Sequence, residues 1–296
     1  MTTDDLSVTD VLHMGLIQVG FSERQRNNCF EQLVRWFITS YGSHPLVYAV
    51  LWWEIRNIDK DRNLRHFFMC LNWIQCYGKE GELAGRFNWT DKTVRKWCLY
   101  YSTIIASLFD VKIVFPTEDE MGDDIIIGVF DGVHTSSYEP RTHPEFPFDK
   151  GMQSHKFNRA GFAWEIVLDM RGRPIWVNGP FKAGNNDTQI YNERGLKAKV
   201  PVGKYLLGDL GYQGAGKVIT ANPYKSYSAK AFKRKHRARI EHYNGRLKSF
   251  GILNQTFRHK GGNCNGSRFE KQKIVMRAVN VIVVIQLDNG FPLFDP

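Results

Sequence analysis

Ile125-Ile-Ile-Gly-Val-Phe-Asp131-Gly-Val-His134 is the stretch on which the fold turns. Ile125 to Phe130 is a continuous apolar run of strand length, the pattern of a central strand covered on both faces. Asp131 ends that run, and a carboxylate at the mouth of a buried strand is costly unless it is paired or binds a metal ion. Downstream, Phe162 to Asp169, the turn Met170-Arg-Gly-Arg-Pro174 and Ile175 to Val177 read as a hairpin. Asn186 to Leu196 reads as a helix opening on an Asn/Asp cap, Tyr205 to Leu207 and Val218 to Thr220 as short strands, and Ser228 to Phe250 as a long basic helix. Phe269 to Leu287 closes the pattern as an apolar helix.

Upstream of the run, Pro116-Thr-Glu-Asp-Glu-Met-Gly-Asp-Asp124 packs five acids with a Pro and a Gly, which is loop composition. Before it the periodicity is helical: Phe30, Leu33, Val34, Phe37 and Ile38 recur at helix spacing, as do Phe67, Phe68, Cys70, Leu71 and Ile74. The reading is therefore α+β or α/β in two domains, a helical one over 1–116 and a mixed-sheet one over 125–296, as 296 residues allow. A composition of 43% hydrophobic and 24% charged residues excludes fibrous and wholly disordered classes. Five cysteines without a C-x-x-C pair argue against a disulfide framework or a thiolate zinc site. The opening residues lack the pattern of a signal peptide, and Ile274 to Leu287 is too short and too interrupted to span a bilayer, so an intracellular protein is expected.

The net charge of +10 is concentrated. From Lys225 to Lys273 there are fourteen lysines and arginines against Glu241 and Glu270, and a local basic block of this kind points to a polyanionic partner. A carboxylate in its midst, Glu241, repels such a partner unless a metal ion bridges the two; the alternative is a helical pairing with Arg237 or Lys248. Asp209 ends a second strand in Leu207-Gly-Asp209-Leu-Gly-Tyr212, where the glycines let the chain turn away and leave the carboxylate facing a crevice. Two strand-end aspartates and a helix glutamate can converge at the carboxyl edge of a sheet. Oxygen ligands without a His/Cys set suit Mg2+ or Mn2+ rather than zinc, and two such ions can hold the attacking and leaving oxygens of a phosphodiester.

Asp131-Gly-x-His134, Gly208-Asp209-x-Gly-Tyr212 and Arg239-x-Glu241-x-x-x-Gly-Arg-Leu-Lys248 together resemble the three signatures of PIF/Harbinger-type transposases, within the DDE endonuclease superfamily. Lys182-Ala-Gly-Asn-Asn-Asp187 between them is similar to that family's Pro-Gly-x-x-x-Asp segment, with Lys182-Ala in place of the usual proline context. The resemblance covers residues 125 to about 287. It implies a ribonuclease-H-like catalytic domain, with Asp131, Asp209 and Glu241 as both the catalytic and the metal-binding triad and two Mg2+ or Mn2+ ions per site. It further implies cleavage of element ends and transfer of the 3′-hydroxyl strand to target DNA. A homo-oligomer, a Myb-like accessory DNA-binding protein and, in a eukaryotic cell, action in the nucleus follow from the same resemblance. The rivals are a domesticated, non-catalytic DNA-binding protein and a ribonuclease-H-like structural nuclease without strand transfer.

The remaining candidates carry two readings each. His134 either supports the site or contacts DNA, or else makes a structural hydrogen bond, and Asp187 either orients a metal-bound water or caps its helix. Lys156 and Arg159 either touch phosphate or are solvated loop charges. Arg237, Arg239, Arg246 and Lys248 flank Glu241 and would neutralise phosphates, which gives salt-dependent affinity without sequence readout. In the helical half, residues 80–101 read as a helix-turn-helix: Gly81 to Phe87, the turn Asn88-Trp-Thr90 with Thr90 as cap, then Asp91 to Tyr101. Val94, Trp97, Cys98 and Tyr101 share one face there, leaving Lys92, Thr93, Arg95 and Lys96 outward for DNA.

Overall fold

The computed structural model describes residues 6–138, 150–220, 227–258 and 266–293. The opening residues 1–5 and part of the basic block, 221–226 and 259–265, lie outside the described residues. The chain divides into two compact units, with described residues 6–112, 247–255 and 266–292 in the first and 113–138, 150–220, 227–246, 256–258 and 293 in the second. Among the described residues no helix is long and apolar enough to cross a membrane.

The first unit is helical. Helix Leu64–Cys76 buries Phe67, Phe68, Cys70, Leu71 and Ile74 as the periodicity marks, whereas helix Phe30–Tyr41 buries Leu33 and Phe37 of its marked residues but leaves Phe30 and Ile38 exposed. Helix Glu80–Phe87 ends at Asn88, whose left-handed backbone (φ 56°) lets its N–H return to the Ala84 carbonyl. Thr90 then caps helix Asp91–Ser107 by accepting from the Thr93 N–H at 3.3 Å. Val94, Cys98, Tyr101 and Ile105 of that helix are buried.

The sequence reading assigned the last apolar helix to the second domain; the structure places it in the first unit. Helix Gly266–Asp288 is buried on almost every side from Val275 to Ile285, and such a helix needs neighbours all round it. The helical unit supplies them: it packs on Asp91–Ser107, Pro45–Glu54 and Phe109–Lys112, with Arg277 paired to Asp110 at 3.0 Å.

The second unit is built on a mixed sheet. Its strands are β1 Ile126–Ser136, β2 Gln153–Ser154, β3 Arg159–Leu168, β4 Pro174–Lys182, β5 Tyr205–Leu207 and β6 Val218–Ile219. β1 pairs antiparallel with β3 and parallel with β5, β6 pairs parallel with β5, and both β2 and β4 pair antiparallel with β3. The β3–β4 hairpin forms as its turn chemistry requires, because the Asp169 carboxylate accepts from the Arg171 and Arg173 N–H groups. Phe130, Val167, Tyr191, Leu206 and Tyr212 join the apolar core of this unit. The expected helix over Asn186 to Leu196 is two helices, Asp187–Glu193 and Leu196–Lys199, separated at Gly195 (φ 102°).

β1 does not stop at Asp131. It runs five residues further because its antiparallel edge stays paired with β3, from Asp131 opposite Ile166 to Ser136 opposite Gly161. What stops is its parallel neighbour β5, at Leu207, so Asp131 lies mid-strand but beside a sheet edge that has just opened.

Candidate active site

The parallel register sets Val129 opposite Leu207. Asp209 follows two residues after that pair, at the cap of the short turn Leu210–Tyr212 beyond the end of β5, and its charge acts on Asp131. On β1 alternation turns Asp131 to the face opposite Phe130, and Gly208 packs so closely on Phe130 that a Cβ there would meet its ring at 2.8 Å. The Asp131 carboxylate accepts the Gly132 N–H at 2.8 Å and the Asn244 amide at 3.3 Å. Burial pushes its carboxyl above the usual range; Lys156 and the Gly132 N–H pull it back, while the charges of Asp209 and Asp187 add to the rise. The Asp209 carboxylate caps the turn that follows it, accepting the Gly211 N–H at 2.8 Å.

A second cluster lies on the other face of β1. Gly132 has no side chain, and the Asp187 carboxylate fills the space: a Cβ there would meet it at 2.8 Å. Asp187 does not cap its helix. Asn186 does, accepting from the Thr188 N–H, so Asp187 is the first helical residue and its carboxylate is turned inward. His134 Nε2 is 3.8 Å from one of its oxygens and Lys156 Nζ 3.6 Å from the other. Burial works to raise the Asp187 carboxyl, but His134 and Lys156 outweigh it and hold it below the usual range. His134 is itself buried and paired through Nδ1 with Ser154 Oγ at 2.7 Å.

Glu165, which the sequence reading missed, lies opposite Gly132 on β3 and is only 2% exposed. It accepts from the Trp176 indole at 3.1 Å, and burial pushes its carboxyl up to about 7. Nothing in Trp164-Glu-Ile166 marks it as different from an outward residue of a half-buried strand. Asn244 was also missed, although its place three residues after Glu241 on a helix that borders the site could have found it.

Glu241 stands apart from the two aspartates. Its side chain is 63% exposed and pairs with Arg237 at 3.7 Å, one helical turn from Asn244, which does reach Asp131. Among the described residues no three His, Cys, Asp or Glu side chains lie close enough to hold a metal ion. Asp131 and Asp209 alone fit one by chemistry, as hard oxygen donors whose mutual repulsion a divalent cation would relieve.

The basic candidates divide. Arg239 donates to the Met170 carbonyl and lies beside His236, and Arg246 is half-buried, so both are partly engaged within the fold. Arg159 and Lys248 are exposed. In the helical unit Lys92 and Lys96 are exposed and Thr93 is half-buried at the cap, but Arg95 is clamped by the Glu80 carboxylate, its Nε 3.0 Å from Oε1.

No curated protein and no solved structure matches this chain. Residues 144–286, just under half of it, match the family model described as DDE superfamily endonuclease. Asp187, Asp209 and Glu241 fall inside the matched segment, and Asp131 precedes it. The match supports a DDE-type transposase family, and with it a nuclease- or transposase-type function acting on DNA.

Proposed function

We propose that the protein is a metal-dependent DNA transposase of the PIF/Harbinger type, which nicks the ends of a mobile element and joins the freed 3′-hydroxyl to target DNA. The observation that carries the reading is the pair Asp131 and Asp209 at the sheet edge where β5 stops and leaves β1 open, the charge of Asp209 acting on the buried Asp131. The sheet supports a ribonuclease-H-like catalytic domain: three antiparallel strands (β1, β3, β4) extended on the other edge of β1 by two parallel ones (β5, β6). Sites of mixed α/β sheets gather at such strand ends.

Asp131 and Asp209 would hold Mg2+ or Mn2+, with Glu241 as the acid placed nearest on the neighbouring helix to complete the set. Bound there, such ions polarise the scissile phosphate and make water a better nucleophile. The protein's own part is preorganisation. Asn244 fixes one oxygen of Asp131, the Gly132 N–H fixes the other, and Asp187 with His134 braces β1 from behind. Arg159, Arg237 and Lys248 neutralise phosphates of the bound strand, while Lys92, Thr93 and Lys96 on the second helix of the 80–101 pair reach the element end. A homo-oligomer joining two ends, a Myb-like accessory protein and a nuclear site of action belong to the same reading.

One observation favours a rival, a non-catalytic DNA-binding derivative: Glu241 is paired with Arg237 instead of facing the aspartates. A strand-transfer assay with labelled element ends and Mg2+ separates the readings. Joined products that vanish with chelator support the transposase; nicking without joining points to a structural nuclease; DNA binding without either product supports the derivative.

A further inference from the structure

Lys156, read from the sequence as either a phosphate contact or a solvated loop charge, is 44% exposed at its side chain and also has partners within the protein. Its ammonium donates to the Gly132 carbonyl at 2.5 Å and lies 3.6 Å from the Asp187 carboxylate. The backbone that carries it is anchored, since the Lys156 N–H donates to Ser154 Oγ at 3.1 Å. Ser154 is buried and paired with His134, which faces Asp187 in turn. Asp187, Lys156, Ser154 and His134 thus form a closed ring around Gly132, the residue that follows Asp131.

We infer that Lys156 is the built-in counter-cation of the carboxylate cluster, a positioning residue that holds the acids together in the metal-free protein and competes electrostatically with any divalent cation that binds them. The inference deepens the metal-dependent reading above and rests on it. The charges of Asp187 and Asp209 both fall on the buried Asp131 and raise the cost of ionising it. Lys156 lowers that cost, and the cost of ionising Asp187. The Asp187 carboxylate sits against the Gly132 backbone, in the space a Cβ there would need. The same positive charge must then weaken metal binding. A unit charge about 6 Å from a divalent ion opposes it by roughly tenfold in affinity even at a water-like dielectric.

The test uses the full chain and the variants Lys156→Met and Lys156→Arg, with two readouts. The first is the melting temperature in chelator; the second is Mn2+ binding without DNA, measured by titration calorimetry. Lys156→Met should melt several degrees lower in chelator and bind Mn2+ about tenfold more tightly, and Lys156→Arg should restore both values. A merely structural lysine, or one that only contacts phosphate, does not produce that opposite pair of changes. Unchanged melting and unchanged Mn2+ affinity in Lys156→Met, or weaker Mn2+ binding, would overturn the inference. If the wild-type chain binds no Mn2+, the metal reading itself fails. The counter-cation role is then decided by melting alone: a loss in Lys156→Met restored by Lys156→Arg sustains it, and no loss overturns it.

Discussion

Replacing Glu165 with glutamine should stabilise the protein at pH 8 and not at pH 4.5. Burial pushes this carboxyl from its ordinary 4.5 up to about 7, with the Trp176 indole pulling it down and the Asp187 charge pushing it further up. Below pH 4.5 the group is protonated in both folded and unfolded chains and costs nothing. As the pH rises towards 7 the unfolded chain ionises freely while the folded one resists. The stability present at low pH is therefore lost across this window, and the loss is complete above it. At about 1.4 kcal/mol per pH unit, that span is worth about 3 kcal/mol. Glutamine keeps an acceptor for the Trp176 N–H, which lies 3.1 Å away. It also places an amide where Oε1 is buried without a partner among the described residues, returning about 1–2 kcal/mol. The net gain at pH 8 is then about 1–2 kcal/mol, or several degrees of melting temperature. Calorimetric melting of both proteins in chelator at pH 4.5, 6, 7 and 8 checks it. A difference that is independent of pH, or one that shrinks as the pH rises, would refute the reasoning.

Gly132→Ala drives a Cβ to 2.8 Å from the Asp187 carboxylate and should cost about 1–3 kcal/mol; adding Asp187→Ala should recover part of that, which a double-mutant cycle on melting temperature measures. Glu80→Gln unclamps Arg95 and should tighten binding to element ends in a gel-shift titration if the 80–101 helices meet DNA; unchanged affinity counts against that contact. Glu241→Gln should slow cleavage by ~10²–10³ while metal-free DNA binding holds or rises, and near-normal cleavage would leave Glu241 as only the surface partner of Arg237.

The elements most legible in the sequence are those whose pattern is local. The run ending in Phe130, the hairpin around Asp169 and the Thr90 cap each follow from a few adjacent residues, and the structure has them where the pattern puts them. Longer-range pairing is where the reading fell short. Asp131-Gly132 looks like a strand end followed by a turn, but β3 keeps the strand going, and only the stopping of β5 opens the edge beside Asp131. Asp187 looks like a cap because Asn186 and Asp187 are both good caps; the absence of a side chain at Gly132 decides which one turns inward. The apolar helix Gly266–Asp288 follows the catalytic motifs in sequence, yet its all-round burial suits a helical bundle better than one face of a sheet. Glu165 could not be read as buried, since a single acid in a strand is ordinarily an outward residue.

The central claim is that Asp131 and Asp209 act as one metal-dependent pair. Burial already disfavours the charged form of Asp131, so Asp131→Asn should fold without loss, and Asp209→Asn replaces a half-exposed side chain. Nicking of an element-end duplex in Mg2+, measured for the wild-type chain and for each variant alongside DNA binding in chelator, tests it most directly. The account predicts that each substitution lowers nicking by at least ~10²–10³, that the double variant is no worse than either single one, and that DNA binding survives in all three. Wild-type nicking in either single variant, or wild-type nicking that persists in excess chelator, would contradict it.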